Sequence, residues 1–314
     1  MSFSSDVKNE IISSNESTKR QKLSLVLGML CFGARLIKDG ERTKLRFSTE
    51  NPKVARKLYT LIKNEFSVMT KLTIHKTPKN IMYHVAVDDE KYIEELFYLT
   101  GLLKRGESID TFLSFKISRM VVSNTACKKS FIKGAFLGGG SVSDPNKNSH
   151  LEFVTSHSKL SHDFQKLLTE CELSPKIVVR KSNYVLYFKN SQEIADILIM
   201  LDSFDSLMEY HNAKIMKDMR NSINRKMNCD TANLSKTVEA SLIQVRAIEK
   251  LQRLGVLDKL SPQLKEIARL RLEYRELSLQ ELGAMLSTPV GKSGVNHRLR
   301  KLVTEAEKYS EKSD

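Results

Sequence analysis

The 314-residue chain carries 51 Lys and Arg against 37 Asp and Glu, a formal net charge of +14 at pH 7. Its 40% hydrophobic and 28% charged residues exclude a disordered tail, and its length suggests about two domains. The absence of a long apolar run or of a leader-like start excludes a membrane span and a signal peptide, so we expect a cytoplasmic protein. The surplus of positive charge predicts a polyanionic partner.

The four cysteines give no indication of a metal or redox site. Cys31, Cys127, Cys171 and Cys229 lie far apart, without a C-x-x-C pair or a nearby histidine at zinc-ligand spacing. We therefore expect buried, reduced thiols and no metal or other cofactor.

An internal repeat occupies the first two thirds of the chain. At an offset of 106 residues, Gly28 and Gly33 match Gly134 and Gly139, and the segment 45–62 matches 151–168 in the same register. The copies span about 20–105 and 126–206, within a predicted domain 1–213.

The apolar pattern predicts the same elements in each copy. A helix that ends at the glycines is followed by a strand, a helix, two alternating segments and a closing helix. Leu45 and Phe47 alternate with polar residues in the first strand, for example. The sequence therefore predicts an α+β domain of two repeats with pseudo-two-fold symmetry.

The glycines at the end of each first helix have two interpretations. Because glycine has no Cβ, the two helices could approach closely and form a central seam between the repeats. Alternatively, the glycines could cap the helices before a turn. We favour the seam, because Gly134, Gly138, Gly139 and Gly140 are more than one cap requires.

The segment 214–258 is predicted to be a basic helical linker. Ile215, Met216, Met219, Ile223 and Met227 follow helical spacing, and basic residues lie between them. Arg220, Arg225 and Lys226 are candidates for contacts with phosphate, although such a charge run could equally be a solvated face.

The last predicted domain, 259–314, is all-α with a helix-turn-helix. Ser261 and Pro262 mark one helix start, Ser278 and Glu281 form a capping box for the next helix, and a turn over 287–291 precedes a third helix. Val295, Leu299 and Leu302 would be its buried stripe.

The third helix is the predicted DNA-reading element, because the sequence has no Asp or Glu between Glu281 and Glu305. Such a helix can enter the major groove of double-stranded DNA, where Arg and Asn bind base edges while Lys and Ser bind phosphate. A helical bundle for protein contacts is the alternative, and His297 could have no role. The candidate DNA-binding residues are Lys292, Ser293, Asn296, His297, Arg298, Arg300 and Lys301.

The repeat domain resembles the LAGLIDADG homing-endonuclease fold, in which two glycine-rich helices form the seam and the last Asp of each motif binds the catalytic metal. When that motif is aligned with residues 132–141, Gly139 stands at the position of the acid. In the first copy Gly33 stands at the equivalent position. Glycine cannot bind a metal, and Asp39 and Asp144 read as ordinary loop acids. We therefore expect a protein that is not an enzyme.

Over the whole chain the sequence resembles the WhiA family of bacterial regulators, through the tracts GAFLGGGSVSDP (134–145), NCDTANLSKT (228–237) and LQELGAMLSTPVGKSGVNHRL (279–299). The resemblance implies a nucleoid-associated transcription regulator linked to sporulation, cell division and chromosome segregation. It also implies RNA polymerase or a sigma factor as a partner and, in some hosts, an iron–sulfur regulator.

Three functions thus remain to be compared. The first is a sequence-specific DNA-binding regulator, the second is a non-specific architectural DNA-binding protein acting in division, and the third is an active LAGLIDADG nuclease. Equal binding to all sequences would mark the second, and magnesium-dependent nicking of a plasmid would mark the third.

Overall fold

The computed structural model describes residues 2–39, 42–78, 80–112 and 114–309. The chain divides into two compact units, Met1–Lys217 and Asp218–Asp314.

The two repeats of the first unit have the same order of elements. The first repeat consists of α2 (Lys19–Gly33), β1 (Ala34–Asp39), β2 (Arg42–Thr49), α3 (Pro52–Thr60), β3 (Lys71–Lys76), β4 (Ile81–Val87) and α4 (Glu90–Leu99). The second repeat consists of α5 (Thr125–Gly139), β5 (Gly140–Val142), β6 (Leu151–Thr155), α6 (Ser158–Thr169), β7 (Lys176–Arg180), β8 (Asn183–Phe188) and α7 (Ser191–Met200).

Each repeat folds into one four-stranded antiparallel sheet. The strand orders are β1-β2-β4-β3 and β5-β6-β8-β7, which are equivalent positions in the two copies. The two-repeat α+β prediction is thus confirmed, but the expectation of three strands per copy is wrong. The missed strands β1 and β5 follow the seam helices without a turn, and β5 has only three residues, too few to show an alternating pattern.

An N-terminal helix that the sequence analysis missed, α1 (Phe3–Ser13), packs against the core of the first unit. Phe3, Val7 and Ile11 recur at intervals of four and are all buried. The Ser2 side chain caps the helix by accepting a hydrogen bond from the Ser5 backbone N–H.

The seam predicted from the glycines is confirmed. A Cβ on Gly28 would lie 2.3 Å from the Phe131 carbonyl oxygen, and a Cβ on Gly134 would lie 2.1 Å from that of Leu25. The backbones of α2 and α5 therefore approach more closely than any larger residue permits. The seam glycines also lack the positive φ angle that a helix-capping glycine adopts, which excludes the capping alternative.

The predicted linker belongs to one 50-residue helix, α8 (Phe204–Arg253). It begins ten residues before the predicted boundary at 214, because no proline or glycine interrupts the sequence there. Its apolar stripe is exposed: Ile215 and Met219 retain 58% and 56% of their accessible surface.

The second unit is a small helical bundle. It contains α9 (Pro262–Glu273), α10 (Leu279–Ala284) and α11 (Lys292–Glu307), and its core also includes Ile248 and Leu251 from the end of α8. The capping box of Ser278 and Glu281 is present at the start of α10. The predicted start of α9 is correct as well, although the Ser261 side chain makes no capping hydrogen bond.

Two further expectations concern the whole chain. No helix in the described part of the chain is long and apolar enough to cross a membrane. All four cysteines are free, and Cys31 and Cys127 are buried as expected. The expectation is wrong for Cys229, which is exposed on α8, and for Cys171, which is half-buried.

Candidate nucleic-acid interface

Helix α11 is fixed to the second unit by the predicted apolar stripe. Val295, Leu299 and Leu302 are all fully buried in the core that they share with α9 and α10. Because these residues recur every three or four positions, they fix one face of α11 inward and leave the opposite face to solvent.

The turn before α11 depends on a close backbone contact. A Cβ on Gly283 would lie 2.2 Å from the Val290 carbonyl oxygen, and the Val290 N–H donates to the Gly283 carbonyl at 3.1 Å. Only glycine fits at this position of α10. The contact holds the start of α11 against the end of α10, which is the arrangement of a helix-turn-helix.

Four of the seven candidate residues on α11 share its outward face. At about 100° per residue, Ser293, His297, Arg300 and Lys301 lie within about 60° of the direction opposite the buried stripe. All four are exposed. Among the described residues, the side chains of His297, Arg300 and Lys301 have no hydrogen bond or ion pair within the protein. They are therefore available to a ligand.

Two of the other three candidates on α11 are less available. Asn296 and Arg298 lie about 100° from the outward direction and are half-buried. The charge of Arg298 acts on Glu266 of α9, whose pKa is lowered chiefly because the Ser287 N–H donates to its carboxylate at 2.6 Å. Arg298 thus belongs partly to the bundle, whereas Lys292 is exposed in the first turn.

A buried arginine that the sequence analysis missed stabilises the loop between α9 and α10. Arg271 is 2% exposed, and its Nη1 donates to the carbonyl oxygens of Leu277 at 2.8 Å and Arg275 at 3.3 Å. Burial lowers its pKa. Its position four residues after Ile267, on the apolar side of α9, was the available signal.

The candidate residues of the linker do not form one surface. Arg220, Arg225 and Lys226 are all exposed on α8. However, they point in directions about 100–140° apart around the helix axis, and Lys226 lies among the apolar residues. A single straight run of phosphates could reach at most one or two of them.

The two degenerate acid positions have no room for a side chain. A Cβ on Gly139 would lie 2.6 Å from the Val154 carbonyl oxygen, and a Cβ on Gly33 would lie 2.2 Å from the buried Phe47 ring. Asp144 accepts a hydrogen bond from the Asn146 N–H at 2.9 Å, as a loop acid does, and the side chain of Asp39 lies outside the described residues.

The fold and the basic helix define the class of protein, a LAGLIDADG-like double repeat followed by a helix-turn-helix domain. Family models match three parts of the chain: the WhiA N-terminal LAGLIDADG-like domain at 19–103, the WhiA LAGLIDADG-like domain at 128–220 and the WhiA C-terminal HTH domain at 223–306. The chain belongs to the WhiA family.

Individual relatives cover almost the whole chain. The chain is 40% identical over 311 residues to a protein of Clostridium novyi (strain NT) and 41% identical over 310 residues to one of Clostridium perfringens (strain SM101 / Type A). Each match covers 98% of both chains, and both relatives are named probable cell division protein WhiA. The crystal structure of full-length WhiA from Thermatoga maritima has the same fold, with a TM-score of 0.58 and 23% identity over 99% of this chain and 100% of that one.

Proposed function

We propose that this protein is a sequence-specific DNA-binding transcription regulator that reads the major groove with α11. The observation that carries the proposal is the outward face of α11, where His297, Arg300 and Lys301 are exposed without a partner among the described residues. The sequence places no acid between Glu281 and Glu305 that could repel a phosphate.

The positions on α11 suggest a division of roles. Arg300 lies on the outward face and would read a guanine edge through two parallel hydrogen bonds. Lys301 and Ser293 would bind the phosphates on either side, while His297, at the centre of the face, would contact a base or phosphate. Asn296, Arg298 and Lys292 would add contacts at the rims of the groove.

The proposed role in the cell is the control of genes linked to division. The name that the clostridial relatives carry supports this link. We extend the proposal to chromosome segregation and sporulation, with RNA polymerase or a sigma factor as the partner and an iron–sulfur regulator in some hosts. Transcription in vitro from a bound promoter, with and without the protein, tests the polymerase step.

The decisive experiment selects bound sequences from a random duplex library and then compares affinities for the selected and a scrambled site. We expect the wild type to prefer the selected site by at least about 10³-fold. Arg300→Ala should reduce that preference by about 5–150-fold, which corresponds to about 1–3 kcal/mol. The matched control is Arg269→Ala, an exposed arginine on α9. Loss in both variants, or in neither, would contradict the proposal.

A non-specific architectural role is the second candidate, and the exposed basic residues on several sides of α8 favour it. Its mark would be similar affinity for the two sites and a steep loss of both with salt. Arg220→Ala and Arg225→Ala would then weaken binding more than Arg300→Ala does.

We propose no nuclease activity for the repeat domain. The support is twofold: glycine occupies both acid positions, and the packing around Gly33 and Gly139 leaves no room for a carboxylate. Incubation of the protein with supercoiled plasmid and magnesium tests this, and nicking that copurifies with the wild type but not with Asp144→Asn would overturn it.

A further inference from the structure

A cavity of about 440 Å³ lies in the first unit where the two seam helices end. Gly33 and Gly139 form part of its wall. Arg35 of β1 and Arg46 of β2 line it from the first sheet, and the residues from Thr155 to His157 line it from the second repeat. The described lining residues include no carboxylate.

The two arginines form an unfavourable pair. Arg35 and Arg46 are directly opposite each other in the ladder between β1 and β2, and both are exposed. Like charges at such positions repel each other. In the described part of the chain, neither guanidinium has an acidic group within ion-pair distance. The fold therefore places two uncompensated positive charges side by side.

The second repeat shows that the fold does not require this pair. The positions 106 residues later are Ser141 and Glu152, which are also directly opposite each other. The Ser141 hydroxyl donates to Glu152 at 3.4 Å, and Glu152 also contacts Arg180 at 3.4 Å and His150 at 3.0 Å. The equivalent site is thus electrically balanced, so the imbalance in the first repeat is a property of this site and not of the sheet.

The second repeat contributes the start of α6 to the cavity wall. In the first repeat, Asn51 caps α3 by accepting from the Lys53 and Val54 N–H groups. The equivalent residue at the start of α6 is His157, which makes no capping hydrogen bond. Burial and the charge of Arg35 lower the pKa of His157. The positive charge of Arg35 thus reaches this wall, where it disfavours a further cation and favours an anion.

We propose that this cavity binds a phosphate group, held between the guanidinium groups of Arg35 and Arg46 and the start of α6. Two neighbouring guanidinium groups offer paired N–H donors that match phosphate oxygens. A bound dianion would convert the repulsion between the arginines into attraction to a shared ligand. The site would thus hold an anion where the acids of a LAGLIDADG homing endonuclease bind a metal cation.

The phosphate has two possible sources, and the experiment separates them. One is a small free ligand, since the cavity volume is in the range of small-molecule sites. The other is the backbone of bound DNA. The probes are inorganic phosphate and pyrophosphate in one arm, and a duplex of arbitrary sequence in the other. The duplex arm uses the Arg300→Ala/Lys301→Ala variant, in which α11 contributes little to DNA binding. The result at the cavity therefore does not depend on whether α11 binds DNA as proposed.

The readout is the melting temperature of the full chain against sodium chloride at equal ionic strength. A ligand at about ten times its Kd should raise the melting temperature of the wild type by about 3–6 °C. Arg46→Glu places the acid of the second repeat opposite Arg35, so it should lose this shift while its own melting temperature stays equal or rises. Arg35→Gln should lose the shift as well.

Arg180→Gln is the matched control, because Arg180 lies on the second sheet and is already paired with Glu152. It should keep the full shift. A shift with phosphate or pyrophosphate identifies a free ligand, and a shift with the duplex alone identifies the DNA backbone. The proposal is overturned if no probe shifts the wild type, or if Arg35→Gln and Arg46→Glu respond as the wild type does.

Discussion

Replacement of Gly134 by alanine should destabilise the first unit although alanine is the better helix former. The new Cβ would lie 2.1 Å from the Leu25 carbonyl oxygen and 3.0 Å from the Met29 backbone nitrogen. Ordinary contacts between such atoms need more than about 3 Å, so α2 and α5 would have to separate by about 1 Å. No rotamer change can relieve a clash with backbone atoms.

The magnitude follows from two opposing effects. Overpacking of a core costs about 1–3 kcal/mol, and the upper end applies because both helices are rigid and buried. Alanine in place of glycine inside a helix stabilises the helix by about 1 kcal/mol. The net loss of about 2 kcal/mol corresponds to a fall of about 4–8 °C in the melting temperature of a unit of this size.

Differential scanning calorimetry of the full chain measures this fall as a shift of the transition of the first unit. The matched control is Gly291→Ala, because nothing lies within 4 Å of a Cβ at that position. Because Gly291 lies in the second unit, as the N-cap of α11, the substitution should leave the transition of the first unit unchanged. An unchanged or raised melting temperature for Gly134→Ala would refute the close approach of the two helices.

Three further predictions concern single charged residues. Lys301→Ala should weaken binding to selected and scrambled DNA by the same factor, because a phosphate contact carries no sequence information. It should also reduce the slope of log K against log salt by about 0.9, the value for one phosphate contact. A loss confined to the selected site would assign Lys301 to a base instead. Arg271→Leu should destabilise the second unit by about 2–3 kcal/mol in urea denaturation, because two carbonyls lose their donor, and Arg269→Leu on the exposed side of α9 should not. Lys8→Met should raise the melting temperature at pH 7, because burial lowers the pKa of Lys8 to about 8 and the folded protein binds this proton less tightly than the unfolded chain. Stability of the wild type therefore rises between pH 8 and about 10.5, and the advantage of Lys8→Met should shrink over that window; a constant difference would contradict the assignment to Lys8.

Local patterns allowed much of the fold to be predicted. The capping box of Ser278 and Glu281 and the stripe of Val295, Leu299 and Leu302 lie within a few turns of chain, so their spacing alone places α10 and α11. The seam could be predicted because two copies of the same glycine pattern require a common explanation. Strand β5 could not, since three residues carry no period.

The candidate site was predictable only in part, because orientation depends on the packing of the whole bundle. The sequence gives Arg298 and Arg300 the same chemistry, but packing against α9 makes Arg298 half-buried and leaves Arg300 exposed. The cavity of the first unit brings together residues from about 30 to 183, so no local pattern could reveal it. Its one sequence signal was that equivalent positions of the two copies carry opposite charges, Arg46 in the first and Glu152 in the second.

The packing around Gly33 and Gly139 limits the substitutions that the two positions accept. One nucleotide change can turn a glycine codon into an aspartate codon, yet neither position accepts even a Cβ while Phe47 and the Val154 carbonyl remain in place. An acidic pair would need compensating changes in the neighbouring strands before either acid could be accommodated. Packing alone therefore opposes acids at these positions, so the acid-free centre is a property of the core of this scaffold and not only of its two glycine codons.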